Sequence, residues 1–206
     1  MILEIVQVGP MRVNCYILAC AEGAGAMIID PGDQYPKIKA VLDKHKLKPA
    51  MVINTHGHYD HIGSDDEFGV LVYVHKNDLA MLLDARKNLS ASFSLAYKVN
   101  AQIKTLEDKE IIKLDDIELE VIHLPGHTCG GIGLLMKKPQ TDIVFTGDTL
   151  FCQGVGRWDL PGGSQEQLEK AIRERLFFLP ENTKVYPGHG PSTTIGLEKN
   201  ENLFGA

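Results

Sequence analysis

The 206-residue chain has one tryptophan, no C-x-x-C pair among its four cysteines, and no apolar run longer than seven residues. Each shortage excludes something. The longest apolar run, Cys15-Tyr16-Ile17-Leu18-Ala19-Cys20-Ala21, falls far short of the ~20 residues a membrane-spanning helix needs. No run of lysine and arginine exceeds two residues (Arg86-Lys87, Lys137-Lys138), and the net charge is −6. The basic stripe that nucleic acid requires is therefore missing. The N-terminus carries Glu4 and no base before Arg12, unlike a secretory signal or an arginine-rich transit peptide. A soluble cytoplasmic protein is expected, with reduced thiols at Cys15, Cys20, Cys129 and Cys152.

What is present is ordinary for a globular chain: 44% hydrophobic and 23% charged residues. At this length roughly 70% of the extended surface can be buried. With no internal repeat and no linker-like stretch, one domain over residues 1–206 is expected. Strands are predicted at Leu3–Val8, Val13–Ala21 and Ala24–Asp30, then at Met51–Ile53 and Val70–Val74. A second group follows at Ile111–Leu114, Ile117–Leu124, Gly131–Met136, Ile143–Thr146 and Thr183–Tyr186. Helices are predicted over Pro36–Lys46, over Asn77–Ala85 with Asn77 or Asp78 as cap, and from the capping box at Ser164 to Phe178. A short helix at most ends the chain. Residues 87–110 show weak periodicity and read as a mobile segment over a site. Two sheets packed together with helices outside would bury all these faces.

The strongest chemical signal is Thr55-His56-Gly57-His58-Tyr59-Asp60-His61, directly after a buried strand. Alternate residues of an extended loop point the same way. His56 and His58 can therefore aim at one point, while Asp60 and His61 turn toward a neighbouring one. Imidazole and carboxylate suit zinc, iron or manganese rather than calcium. Three further candidates lie just after predicted strands, each preceded by a glycine: His127, Asp148 and His189. Together these make seven ligands, enough for two divalent ions with Asp148 shared as a bridge. His45, His75 and His123 sit in a helix or in strands and are read as ordinary side chains.

These motifs resemble the metallo-β-lactamase superfamily. Within it they are similar to the short single-domain bacterial glyoxalase II-like, or hydroxyacylglutathione hydrolase-like, enzymes. The matching segments are Thr55–His61, Pro125-Gly126-His127-Thr128, Thr146-Gly147-Asp148-Thr149 and Pro187-Gly188-His189-Gly190, with Ile28-Ile29-Asp30-Pro31-Gly32 before them. The resemblance implies an α/β fold of αββα type, two mixed sheets flanked by helices, with the site at one edge. It also implies that His56, His58 and His127 hold one metal, and Asp60, His61 and His189 a second. Asp148 would bridge both, and Asp30 would hold the metal loop by hydrogen bonds. Zinc is the first expectation, with iron or manganese open.

Two such ions ~3.5–4 Å apart can share a hydroxide that is nucleophilic at neutral pH. Asp60 and Asp148 are then the catalytic carboxylates, and no serine or cysteine nucleophile is required. A thiolate, with parent pKa ~8.5, leaves without a general acid, which favours a thioester such as S-lactoylglutathione over an amide. Nucleases of this fold carry additional domains, and flavin di-iron proteins place a glutamate where His58 stands. Zinc β-lactamases commonly place cysteine or histidine where Asp148 stands. The alternative is a persulfide dioxygenase with a single iron, which shares a loop like Gly156-Arg157-Trp158-Asp159. A metal-binding scaffold without catalysis is the remaining reading. Only 17 residues follow His189, so no C-terminal helical glutathione-binding domain is expected. Arg157 is a candidate partner for a substrate carboxylate, in competition with an ion pair to Asp159. Trp158 is a candidate for packing on the substrate's apolar part.

Overall fold

The computed structural model describes residues 1–205. Its first sheet contains β1 (Ile2–Val8), β2 (Val13–Ala19), β3 (Gly25–Ile29), β4 (Lys48–Ile53), β5 (Leu71–His75) and β6 (Ile103–Leu106), in that order. The pairs up to β3 are antiparallel and those from β3 to β6 parallel. The second sheet uses β7 (Ile111–Leu114), β8 (Ile117–His123), β9 (Ile132–Lys138) and β10 (Ile143–Gly147). A two-stranded hairpin, β11 (Leu150–Phe151) with β12 (Gly154–Val155), then leaves the sheet. The chain returns as β13 (Lys184–Pro187) and β14 (Thr193–Thr194). In the second sheet β10 and β13 run parallel and the other pairs antiparallel.

Strand periodicity sorts the apolar residues into three buried clusters. Ile17 and Ile28 face the helix-covered side of the first sheet, with Ile38 and Leu42 of α1 (Tyr35–Lys44). Their neighbours Tyr16, Leu18, Met27 and Ile29 face the opposite way, onto Leu119, Val121, Leu134 and Phe145 of the second sheet. Val144, one residue before Phe145, points outward onto Leu168 of α4 (Gln165–Ala171) and Ile195 of α5 (Ile195–Glu201). Successive side chains on a strand alternate faces, so a doubly buried strand such as β2 requires a layer on each side. The outcome is helix, sheet, sheet, helix. Tyr16 links the two sheets through edge contacts with Phe145 and Tyr186 at ring distances of 4.9 and 5.7 Å.

Three expectations need correction. Residues 87–110 are partly regular: a turn of 3-10 helix at Ser90–Phe93 precedes β6, which extends the first sheet beside β5. Of the four β6 residues only Leu106 is buried, too little apolar pattern to announce a strand. The helix expected over Asn77–Ala85 is a 3-10 turn, Lys76–Asp78, plus one turn of α3 (Leu79–Leu82). The helix from Ser164, whose hydroxyl accepts from the Gln167 amide, gives way after Ala171 to a wider turn over Ile172–Leu176.

Candidate metal centre

All seven candidate ligands converge where the C-terminal ends of β4, β8, β10 and β13 meet. β4 runs into the loop Asn54–His58 and then a single turn, α2 (Tyr59–Ile62). His58 keeps an extended backbone at φ −71° and ψ 146°, so His56 and His58 present their rings to one side. The helical turn swings Asp60 and His61 to the other. Ligand atoms fall into three overlapping groups, each within 4.8 Å: His56, His58 and His127; His56, His61 and Asp148; and Asp60, His61 and His189. Asp148 lies between the first and the last, with Oδ2 3.7 Å from His127 Nε2 and 3.5 Å from His189 Nε2.

Each histidine outside the His58 position is held by its far nitrogen. His127 Nδ1 donates to Arg157 O at 2.7 Å, His189 Nδ1 to Met11 O at 2.9 Å, and His61 Nδ1 to Asp30 Oδ2 at 3.0 Å. His56 Nδ1 lies 3.2 Å from Thr55 Oγ1. In the neutral ring, an acceptor on one nitrogen leaves the other without its proton and free to ligate. His58 turns Nδ1 toward His127 Nε2 at 2.9 Å. The buried atoms His56 Nε2, His58 Nε2 and Asp148 Oδ1 have no hydrogen-bond partner in the protein. Buried polar atoms are rarely left so, and a nitrogen and oxygen donor set of this kind fits divalent zinc, iron or manganese.

Asp30 follows directly on β3. Its Oδ1 accepts from the Thr55 amide at 2.7 Å, and its Oδ2 accepts from Thr55 Oγ1 and His61 Nδ1. Two further clamps are invisible as motifs. Asp78, read in the sequence only as a helix cap, is fully buried. It accepts from Gly57 N, Thr128 Oγ1 and Gly130 N at 3.0, 2.7 and 2.6 Å, tying the loop of His56 to the loop of His127. Asn14 of β2 donates from Nδ2 to Pro187 O and Gly190 O, bracketing His189. Short polar side chains inside a buried pattern are the only local hint of either.

The glycines before His127, Asp148 and His189 do not act alike. Gly147 has φ +49°, a left-handed conformation that favours glycine. Gly188 is not in that region. A Cβ there would instead collide with Asp148 Oδ1 and press on His61 Cε1, so its lack of a side chain lets the carboxylate reach the centre.

The remaining candidates separate. Arg157 lines the cavity beside the ligands, but its guanidinium is engaged by Asp159, Nε to Oδ1 at 2.8 Å and Nη2 to Oδ2 at 2.7 Å. Trp158 packs into the third cluster, 6.0 Å from the Phe204 ring, and is not among the cavity-lining residues. His75 and His123 stack on each other at 4.1 Å and belong to none of the ligand groups, and His45 bonds Glu4.

Electrostatics divide the ligands into two kinds. Burial pushes His56 down, with His61 and His127 adding to it, and holds His58 at about 3. Burial also acts against charge on His61 and His189, but Asp148 and Asp60 outweigh it and raise them to about 9 and about 10. The Asp148 carboxyl, despite its burial, is held well below the usual carboxylate range by His61, His189 and His127. At neutral pH the metal-free protein therefore carries protons on His61 and His189. A ligand must be unprotonated, so filling the trio that contains them should expel about two protons. Affinity should rise with pH until both histidines have lost their protons, at about 9 and about 10. Calorimetry in buffers of different ionisation enthalpy measures this; a buffer-independent heat would mean these histidines are neutral before loading.

Comparison with known proteins agrees with this architecture. The metallo-beta-lactamase superfamily pattern matches residues 8–189. The hydroxyacylglutathione hydrolase GloC of Haemophilus influenzae is 34% identical over 209 residues, covering 98% of this chain and 97% of its own. The probable metallo-hydrolase YqgX of Bacillus subtilis is 36% identical, covering 96% and 94%. Among solved structures, the BLEG-1 B3 metallo-beta-lactamase superposes with TM-score 0.90 at 32% identity, over 98% of this chain and 99% of that one. TTHA1623 in a di-iron-bound form gives 0.83 at 35%, with the same coverage. ETHE1 from Myxococcus xanthus gives 0.80 at 26%, over 98% and 84%. Among the described residues no helix is long and apolar enough to cross a membrane. With the fold, the order of the segments and the convergence of their side chains in agreement, the chain belongs to the metallo-beta-lactamase superfamily of metal-dependent hydrolases.

Proposed function

We propose that this protein is a dinuclear metallohydrolase that cleaves thioesters, a glyoxalase II-like activity. The observation that carries this reading is the arrangement of seven buried or half-buried ligands as two trios with Asp148 between them. His56, His58 and His127 would hold one divalent ion, and Asp60, His61 and His189 the other. Two such ions, when bound, supply a water acidic enough to attack at neutral pH and a positive centre for the carbonyl oxygen.

The protein's own groups then bear on the leaving group. The water oxygen joins the acyl carbon, the C–S bond breaks with its electron pair on sulfur, and the products are a carboxylate and a thiol. Apart from the ligands, the titratable side chains lining the cavity of about 580 Å³ are Tyr59 and Arg157. Burial raises Tyr59 and Asp159 raises Arg157, so neither is suited to protonate an amine at neutral pH. A thiolate needs no such donor. Asp60 Oδ2, 3.4 Å from His189 Nε2 at the cavity wall, is the carboxylate placed to pass on the water's proton. The likeness to GloC supports a thioester substrate, and zinc remains the first choice with iron or manganese as alternatives.

A second reading, the mononuclear-iron persulfide dioxygenase, draws on the Gly156–Asp159 loop, which contributes Arg157 to the cavity and an acceptor to His127. It leaves the trio of Asp60, His61 and His189 without an ion to hold. Thiol release from S-lactoylglutathione and from simple N-acetylcysteamine thioesters, by protein loaded with zinc, iron or manganese, tests the proposal. Metal-dependent release abolished by chelation is expected. No release from either class, with oxygen uptake on a glutathione persulfide or cleavage of a cephalosporin instead, would replace it.

A further inference from the structure

Beside the metal-facing cavity lies a smaller space of about 230 Å³. The two share Met11, Tyr59, Asp60 and Phe93, so the annex opens directly beside the carboxylate of the second trio. Val8 and Val13, flanking the β1–β2 turn, and Leu95 close it from either side. Met11, Phe93 and Leu95 are 45%, 54% and 43% exposed. Large apolar side chains gathered wet around one opening, rather than scattered, mark a surface that gains from an apolar occupant.

The segment carrying Phe93 is built at a cost. Leu89 and Ser94 both adopt left-handed φ values, 69° and 59°, a conformation unfavourable for residues with a β-carbon and retained where the surroundings impose it. Buried Asn88 imposes it here. Its Nδ2 donates to Tyr97 O at 3.0 Å, its Oδ1 accepts from Ser90 N at 2.9 Å, and its carbonyl accepts from Tyr59 N at 2.9 Å. The apolar wall is thus fastened to the loop that carries Asp60.

Charge narrows the occupant. Asp33 and Asp60 line the annex, and no cationic side chain does, among the described residues. Apart from the ligand histidines, the one cationic side chain lining the larger cavity among the described residues, Arg157, is already paired with Asp159. With Asp60 taken up by the second trio's ion, an anionic substituent in the annex would still face Asp33, with no cationic side chain in the lining to offset it. A cavity of ~150 Å³ lined by apolar side chains accommodates benzene, so this one admits a ring or a chain of about six carbons.

We infer that the annex receives the acyl group of the substrate, and that this group is uncharged and apolar, a straight or branched chain of about six carbons or an aromatic ring. The thiol part then lies in the larger cavity on the Arg157 side. This rests on the thioesterase reading for its chemistry, though not for the binding itself.

Binding and hydrolysis separate the two. S-alkyl thioethers of N-acetylcysteamine, which cannot be hydrolysed, are titrated from ethyl to hexyl into the zinc-loaded protein and followed by amide NMR shifts. The matching thioesters are given to metal-loaded protein. Affinity and kcat/KM should each rise about fourfold per methylene, about 250-fold across the four methylenes of the series, with shifts centred on Val8, Met11 and Leu95. Leu95→Asp should cut the hexyl-over-ethyl preference about tenfold or more. Phe93→Ser, on the shared wall, serves the same purpose if Leu95→Asp fails to fold. A flat series with no shift at these residues overturns the inference, even if thioesters are hydrolysed. Chain-dependent binding without hydrolysis of any thioester keeps the annex and overturns the thioesterase.

Discussion

Asp148→Ala is expected to lose at least one metal equivalent and to lower turnover on the order of a thousandfold or more. The carboxylate is central in three ways. Among the described residues it is the one carboxylate within 4 Å of histidines from both trios, His127 on one side and His61 and His189 on the other. Its charge is maintained in a buried setting by those same histidines. Its Oδ1 has no hydrogen-bond partner in the protein, an arrangement that costs stability unless a cation completes it. Metal content per chain and thiol release are the measurements. Asp148→Asn separates shape from charge: it keeps the volume and removes the negative charge that would hold two positive ions at one site. A variant that retains two metals and full rate would mean that Asp148 does not bridge.

Asp78→Ala should be the most damaging change outside the ligands. Its carboxylate satisfies Gly57 N, Thr128 Oγ1 and Gly130 N in a buried position. Removing it strands three donors at once, at about 1–3 kcal/mol for each unsatisfied group. The loss should therefore reach about 3 kcal/mol or more in a urea unfolding series. Function should fall separately, because the loops of His56 and His127 are no longer tied to each other. Weakening of metal affinity by about 10–100-fold is expected for a partner of this kind. Asp78→Asn retains an acceptor and should recover part of both. If Asp78→Ala keeps metal affinity while losing stability, the clamp serves the fold alone.

Much of the architecture was legible because it is local. The alternation of Tyr16, Ile17 and Leu18, or of Val144 and Phe145, states which side of a strand faces which layer. β6 was missed because a four-residue edge strand with one buried side chain carries almost no periodicity. The helix at Asn77 was overestimated for a related reason. Asp78 looks like a cap, yet its side chain is drawn away to Gly57, Thr128 and Gly130 and caps nothing locally.

The candidate site divides the same way. By itself the sequence determined the donor chemistry and the local aim of His56 and His58, because those follow from residue type and from the two-residue period of extended backbone. It also marked the approach of the three glycine-preceded ligands, although the reason at Gly188 proved to be space rather than φ. Tertiary structure alone decided how the groups combine. Asn14 reaches across 173 residues to Pro187, and Asp78 across 52 to Gly130. Trp158 turned to the third cluster and Arg157 to Asp159, while Met11 and Phe93, distant in sequence, met to wall the annex beside Asp60. Periodicity reports which face a side chain takes on its own element; which partner it meets there depends on loop closure between distant segments, and no local pattern encodes that.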